Sequence, residues 1–254
     1  MQAFAIFLAV IVILAVVLLM FNFCFLLYPI LPASNPMKDA KHLRLEGPIA
    51  LFISDLHLAA NRPFQYSNTL RRVLIDRQVS NLIVVGDLFD SPEDAKMITG
   101  DSTRLPIIDI LGMRDLPTKG FFIEGSPPHD PPSRDMAAFN ITPLVQLGRC
   151  AVFECNKATV VAYHGHDLSW KGAIGHGWDR FISGLSLEKA WKKMAGVPDS
   201  DWVIFGHTHI PGIDAKHRVA NCGGWQSIPH LVHPACTGLL FTAQTDSLEI
   251  INFA

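Results

Sequence analysis

The sequence predicts an α/β domain that follows one membrane-spanning helix. Two observations predict the domain: short apolar runs alternate with helical patterns, and several of those runs end in residues that can bind a metal. A third predicts the helix, because residues 1–37 contain no Lys, Arg, Asp or Glu and all 21 basic and 23 acidic residues follow them. We therefore expect an anchor over residues 1–33, a tether over residues 34–47 and the domain over residues 48–254.

The anchor is predicted from an unbroken apolar run. Residues 3–21 contain only apolar side chains, which is enough to cross about 30 Å of hydrocarbon as a helix. A cleavable signal peptide is the alternative, and the length of the run and the lack of a basic leading segment disfavour it. The first basic residues, Lys38, Lys41 and Arg44, all follow the run. The positive-inside rule then predicts a single-pass membrane protein whose domain lies in the cytoplasm.

Charge and cysteine content exclude two classes of protein. The formal net charge of the 254 residues is −2 and no run of Lys or Arg stands out, so we expect no nucleic-acid partner. The five cysteines form no Cys-x-x-Cys pair, which is typical of free thiols in a reducing compartment rather than of a disulfide-stabilised fold.

Four apolar runs end in candidate metal ligands. The runs are residues 49–53, followed by Asp55 and His57; 82–85, followed by Asp87; 158–163, followed by His164; and 202–205, followed by His207 and His209. Any one pair has a plain alternative, such as a helix cap or a solvated loop. Together they indicate a shared site, because the carboxyl ends of parallel strands meet at one edge of a sheet. Mixed oxygen and nitrogen donors suit Mn²⁺, Fe or Zn²⁺ better than Ca²⁺.

The remaining patterns complete the domain. They predict helices over residues 69–78 and 186–195, one or two short helices within 92–115, a strand over 119–124, a hairpin over 149–163 and tail strands over 218–222, 238–242 and 248–253. Two prolines stiffen the loop that carries His129. Residues 168–184, rich in glycine and aromatic residues, predict a loop that lines a pocket, and a surface excursion is the alternative.

Taken in order, these motifs resemble those of the calcineurin-like metallophosphoesterases. The matching elements are Asp55-x-His57, Gly86-Asp87, Gly125 with His129-Asp130, His164-Gly165-His166 and Gly206-His207-Thr208-His209. The resemblance covers about residues 49–225. It implies a two-sheet β-sandwich flanked by helices, an αββα arrangement, with two divalent metal ions at the strand ends, Mn²⁺ first and Fe or Zn²⁺ as alternatives.

The resemblance also implies a role for each residue. The implied ligands are Asp55, His57 and His209 for the first metal, His164 and His207 for the second, and Asp87 as the bridge between them. His129 is expected to contact the phosphate and to protonate the leaving group. Asp130, His166 and Asn221 are expected near the substrate.

One motif departs from the family pattern. The family has Gly-Asn-His followed by Asp or Glu, with the Asn on the second metal, whereas here Ser126-Pro127-Pro128 separates Gly125 from His129. Ser126 stands at the position of the Asn, so either its hydroxyl or a water is expected on the second metal, or the loop is rearranged.

The implied function is metal-dependent hydrolysis of a phosphomonoester, a phosphodiester or a pyrophosphate. The anchor favours a membrane-associated or lipid-linked substrate. The alternative is a scaffold that keeps the fold and binds a protein partner at the membrane, as the retromer subunit of this family does. A protein that binds a single metal ion is a third interpretation.

Overall fold

Twelve strands in the described part of the chain form two mixed sheets of six strands each. The computed structural model describes residues 11–17, 35–100, 105–131, 135, 139, 141–156, 158–166, 185–226 and 236–253. The strands are β1 (Lys41–Arg44), β2 (Ile49–Ile53), β3 (Asn81–Val85), β4 (Lys119–Ile123), β5 (Leu144–Gln146), β6 (Cys150–Cys155), β7 (Ala158–Tyr163), β8 (Trp202–Phe205), β9 (Gly212–Asp214), β10 (Val219–Asn221), β11 (Thr237–Thr242) and β12 (Ser247–Asn252). The helices are α1 (Ser67–Asp76), α2 (Pro92–Gly100), α3 (Ile107–Ile110) and α4 (Ser186–Ala195).

The strand orders place the predicted ligands at parallel strand ends. The first sheet has the order β12-β11-β2-β3-β4-β5, in which β2 to β5 are parallel. The second has the order β1-β6-β7-β8-β10-β9, in which β7 and β8 are parallel. Because β2 and β3 are covered on both faces, their sequences are continuous apolar runs rather than alternating ones.

The two sheets pack face to face, and helices cover their outer faces. Phe52 of the first sheet meets Phe153 of the second edge to face, with ring centroids 6.1 Å apart. On the outer face of the first sheet, Leu70 and Leu74 of α1 belong to a second buried apolar cluster. On the outer face of the second sheet, Trp191 of α4 stacks on Tyr163 at 4.5 Å. The predicted arrangement of two sheets flanked by helices is therefore confirmed.

The segment predicted as a tether, residues 34–47, contains a short helix and a strand. Residues Pro36–Asp39 form a short 3₁₀ helix, and β1 pairs in parallel with β6 at the edge of the second sheet. Three of the four β1 side chains are exposed, so the strand carries no apolar run that would identify it. Two other edge strands, β5 and β9, were not predicted either, because three residues are too few to show a periodic pattern.

The chain divides into two units, Met1–Ser34 and Asn35–Ala254. In the first unit, residues 11–17 are helical and their side chains are exposed. Among the described residues, no helix combines the length and the apolar character needed to cross a membrane. Most of the predicted anchor over 1–33, and the predicted pocket-lining loop over 168–184, lie outside the described residues.

The described cysteines agree with the prediction of free thiols. Cys150, Cys155, Cys222 and Cys236 are all buried and none forms a disulfide with another described residue. Burial raises the pKa of the Cys150 and Cys155 thiols to about 12. These side chains therefore contribute to packing and are protonated at neutral pH.

Candidate metal centre

The six predicted ligands lie in two groups at the carboxyl ends of β2, β3, β7 and β8. The first group is Asp55, His57 and His209, and the second is Asp87, His164 and His207. Within each group the ligand atoms lie within 4.8 Å of one another. His209 Nε2 is 3.3 Å from Asp55 Oδ1, and His164 Nε2 is 3.2 Å from Asp87 Oδ1.

The two groups adjoin each other through their carboxylates. Asp87 Oδ2 lies 3.9 Å from His57 Nε2 in the first group, while Asp87 Oδ1 faces His164 in its own group. In the opposite direction, Asp55 Oδ1 lies 4.0 Å from His164 Nε2. Asp87 thus has one oxygen toward each group, and this position is compatible with its predicted role as the bridge.

The backbone at these positions is strained. Five of the predicted ligands have φ between 45° and 68°, and these are Asp55, His57, Asp87, His207 and His209. Each residue held in this left-handed region costs about 1–3 kcal/mol, and such strain concentrates at functional sites. Local hydrogen bonds hold it in place: the His57 N–H donates to Asp87 O at 3.0 Å, and the His207 N–H donates to Asp55 Oδ2 at 2.9 Å.

Gly86 is required where β3 passes His164. A Cβ at this position would lie 2.3 Å from Cγ of the imidazole, and the backbone φ is +77°. Both facts exclude a side chain. The close approach lets the His164 Nδ1–H donate to Val85 O at 2.9 Å, which leaves Nε2 directed at the carboxylates.

The charges in the site are strongly coupled. Burial opposes the ionisation of Asp87, but His164, His129 and the Ser126 N–H hold the pKa of Asp87 well below its usual range. Burial likewise opposes a charge on His164, yet the Asp87 and Asp55 carboxylates raise the pKa of His164 to about 10. Burial and the charge on His164 lower the pKa of His207 to about 4. These interactions favour a neutral His207 and a protonated His164, and a cation at the site could replace that proton.

Two buried atoms support the assignment of cations to this site. Within the described residues, Asp55 Oδ1 and His164 Nε2 have no hydrogen bond of acceptable geometry, although His164 Nε2 lies 3.2 Å from Asp87 Oδ1. Buried polar atoms without a partner are costly, and a divalent ion supplies that partner. Imidazole and carboxylate donors suit Mn²⁺, Fe and Zn²⁺. The residues present therefore fit two such ions.

His129 lies at the exposed side of the centre. Its side chain is 33 % exposed, and its Nε2 lies 4.0 Å from Asp87 Oδ2. Its Nδ1 is 2.7 Å from Asp90 O, and because a carbonyl oxygen only accepts, Nδ1 carries the hydrogen. This bond directs Nε2 toward the ligand groups.

Ser126, predicted as a ligand of the second metal, hydrogen-bonds to Asp87. Its Oγ–H lies 2.7 Å from Asp87 Oδ1 and 3.0 Å from Oδ2, and its N–H also donates to Oδ1 at 2.7 Å. A hydroxyl beside a carboxylate donates its proton, so Ser126 holds Asp87 in place. A contact of its oxygen with the second metal stays a prediction.

Two of the three residues predicted near the substrate are fully buried. Asp130 accepts hydrogen bonds from the N–H groups of Phe89 and Gly125, so its carboxylate fixes the loops around the site. Burial and the charge on Asp87 raise the pKa of Asp130. Asn221 donates to Gly206 O at 2.7 Å beneath the histidine loop. Both side chains are bonded to protein groups, and a contact of either with substrate stays a prediction.

His166, the third residue predicted near the substrate, is 8 % exposed, and its ring lies 5.9 Å from that of His164. It is close to the second ligand group without belonging to it.

Sequence reasoning missed Asp90 and Glu188. Asp90 Oδ1 lies 3.5 Å from His57 Nδ1, and Asp90 forms a third possible ligand group with His57 and His129. Its position three residues after Asp87 was the available signal. Glu188 of α4 is 2 % exposed, and its Oε1 accepts from Asn221 Nδ2 at 2.9 Å. A charged residue inside an amphipathic helix gives no sequence signal that it accepts a buried hydrogen bond.

Three solved structures are similar to this chain at low sequence identity. The phosphoesterase YfcE from E. coli is 13 % identical, with 81 % of this chain and 100 % of that chain covered and a TM-score of 0.42. An archaeal phosphodiesterase is 15 % identical, with 80 % and 99 % covered and a TM-score of 0.41. Vps29 from Entamoeba histolytica, complexed with Zn²⁺, is 15 % identical, with 81 % and 99 % covered and a TM-score of 0.41.

No curated protein matches the sequence. The sequence pattern of the calcineurin-like phosphoesterase superfamily domain, in contrast, matches residues 49–245, which is more than half of the chain and contains all the predicted ligands. The chain therefore belongs to the calcineurin-like phosphoesterase superfamily.

Proposed function

We propose that this chain is a metal-dependent phosphoester hydrolase that binds two divalent cations, with Mn²⁺ as the preferred ion. The observation that carries the proposal is the pair of adjoining ligand groups with Asp87 between them. Two cations held there would supply Lewis-acid activation of a water molecule and neutralise the charge on the phosphoryl oxygens. The bond cleaved is that of a phosphomonoester, a phosphodiester or a pyrophosphate.

The side chains of the site prepare this chemistry. Ser126 fixes the Asp87 carboxylate with two hydrogen bonds to Oδ1, and His164 keeps that carboxylate ionised. His129 holds its Nε2 toward the centre through the bond from Nδ1 to Asp90 O. When His129 is protonated, Nε2 donates its proton to the leaving oxygen as the P–O bond breaks. His129 is thus the general acid in this proposal.

The substrate class follows from the proposed anchor. Residues 1–33, apolar and free of charged side chains, would tether the domain to a membrane, and the basic residues that follow favour the cytoplasmic side. A tethered hydrolase is concentrated near membrane-bound phosphoesters. We therefore propose a membrane-associated or lipid-linked phosphoester as the substrate.

A scaffold that binds a protein partner at the membrane is the second candidate function. The observation that favours it is the absence of an Asn in the loop between Gly125 and His129, where Ser126 is bonded to Asp87 instead. The two ligand groups weigh against it, because a scaffold has no need of strained backbone at five ligand positions.

Hydrolysis of chromogenic phosphoesters tests the proposal. The full chain in mild detergent is assayed with bis-p-nitrophenyl phosphate and p-nitrophenyl phosphate, with Mn²⁺ and with EDTA. We expect Mn²⁺-dependent turnover that is abolished in Asp87→Asn and lowered by about 10²-fold or more in His129→Ala. His42→Ala, at an exposed histidine of β1, is the matched control and should have wild-type activity. No turnover with any divalent metal, in protein shown to be folded, would favour the scaffold.

A further inference from the structure

A cavity of about 190 Å³ opens beside His57. It lies between the loop that follows β2 and the residues that follow β10, and its wall includes Arg62, Phe64, Tyr66, Trp225 and Gln226. His57 belongs to the first ligand group and also lines this cavity. A phosphoester held at the metal centre therefore has the cavity within reach of one ester substituent.

Three aromatic rings form one wall of the cavity. The ring of Phe64 lies 5.8 Å from that of Tyr66 and 5.5 Å from that of Trp225, and the rings of Tyr66 and Trp225 are 5.4 Å apart. Trp225 is fixed by packing on Phe253 at 4.6 Å and by its backbone N–H, which donates to Asp55 O at 3.0 Å. Phe64 and Tyr66 are half-buried. The aromatic surface is therefore preformed next to the ligand groups.

The volume of the cavity limits what it can hold. An apolar cavity of about 150 Å³ is sufficient for benzene. Pockets for drug-sized ligands begin at about 300 Å³. A cavity of about 190 Å³ thus matches one six-membered ring.

Arg62 and Trp225 supply hydrogen-bond donors at the cavity. Arg62 is the one residue with a permanent charge among its lining residues. Its Nη2–H donates to His57 O at 3.0 Å, and Nη1–H donates to Gln226 Oε1 at 3.2 Å when the amide is oriented to satisfy both of its ends. Both acceptors are neutral, so in the described structure no carboxylate cancels the charge, and three of the five guanidinium N–H groups stay available. Trp225 Nε1, buried in the same wall, also has no hydrogen-bond partner among the described residues.

We propose that this cavity is a substrate subsite for a single six-membered aromatic or heteroaromatic ring with oxygen or nitrogen acceptors at its edge. The ring stacks on Phe64 and Tyr66, and its acceptors meet Arg62. The inference rests on the proposed function for the position of the phosphate, and it adds the chemistry of the ester substituent. A pyrimidine base and a substituted phenyl group share this chemistry.

Phosphonates test the subsite without hydrolysis, because their C–P bond is not cleaved. Binding of methylphosphonate, benzylphosphonate and 4-nitrobenzylphosphonate to the full chain with Mn²⁺ is measured by calorimetry. We expect the ring to tighten binding by about tenfold over the methyl compound and the nitro group to tighten it further. Phe64→Leu should remove the advantage of the ring. Arg62→Gln should remove that of the nitro group alone, and Arg72→Gln, at an exposed arginine of α1, should change neither.

Several results would overturn the subsite. It would be overturned if all three phosphonates bound equally or if none bound. It would also be overturned if Phe64→Leu weakened the binding of methylphosphonate as much as that of the other two. Tighter binding of octylphosphonate than of benzylphosphonate would also overturn it, in favour of an acyl chain. Ring-dependent binding without turnover supports the subsite while the proposed hydrolase fails. Thymidine 5′-monophosphate and 4-nitrobenzylphosphonate, compared directly, separate a pyrimidine base from a phenyl ring, and binding of either supports the inference.

Discussion

Gly125 lies where the metal centre has no room for a side chain. A Cβ at this position would lie 2.1 Å from Asp87 N, 2.2 Å from Asp87 Oδ1 and 2.6 Å from Asp130 Oδ2. Ordinary contact begins near 3.4 Å, so Gly125→Ala must move the Asp87 carboxylate by about 1 Å. Neither carboxylate can move freely, because Asp87 Oδ1 accepts from Ser126 and Asp130 Oδ2 accepts from Gly125 itself.

A displacement of about 1 Å at reacting groups costs about 10²-fold in rate. Overpacking of a tight site costs about 1–3 kcal/mol of unfolding free energy. We therefore expect Gly125→Ala to lower kcat/KM for bis-p-nitrophenyl phosphate by about 10²-fold and to weaken Mn²⁺ binding. Gly100→Ala is the control, because nothing lies within 4 Å of a Cβ there. Wild-type turnover and Mn²⁺ affinity in Gly125→Ala would refute the reasoning.

Three further predictions concern the same centre. Mn²⁺ binding should release about one proton at pH 7, because the carboxylates raise the pKa of His164 to about 10 and its proton must leave before Nε2 can bind a cation. The affinity for Mn²⁺ should then rise by about tenfold per pH unit between pH 6 and 8. Calorimetry in buffers of different ionisation enthalpy measures the proton release, and finding none would contradict this prediction. Glu188→Ala should weaken Mn²⁺ binding by about tenfold, because Glu188 holds Asn221 beneath the loop that carries His207 and His209. Lys189→Ala, on the same helix, is the control and should not weaken it. Equal affinities in the two variants would exclude a positioning role for Glu188. Ser126→Ala should lower the unfolding free energy of the metal-free protein by about 1.5–3 kcal/mol, because its hydroxyl donates to the ionised Asp87 carboxylate, and urea unfolding in EDTA measures this loss.

The central strands could be predicted from the sequence because burial on both faces requires continuous apolar runs. β2 agrees with its predicted range, and β3 and β8 agree to within a residue. The edge strand β1 could not be predicted, because an edge strand with exposed side chains carries no apolar pattern. Its pairing with β6 depends on residues more than a hundred positions away.

The ligand groups were predictable because each ligand directly follows a strand. The roles of Ser126, Asp130 and Asn221 were not, because burial and hydrogen-bond partners depend on how separate loops meet. The cavity beside His57 could not be predicted from the sequence either. Its wall joins Phe64 and Trp225, which are far apart in sequence and have no shared motif.

The number of metal ions bound per chain tests the central claim most directly. The full chain in mild detergent is equilibrated with Mn²⁺, and bound metal is measured by mass spectrometry beside the Asp87→Asn and His42→Ala variants. The predicted result is two ions per folded chain in the wild type and in His42→Ala, and fewer in Asp87→Asn, because Asp87 has one oxygen toward each ligand group. A folded chain that binds no Mn²⁺, Fe or Zn²⁺, or an Asp87→Asn variant that binds two ions as tightly as the wild type, would contradict it.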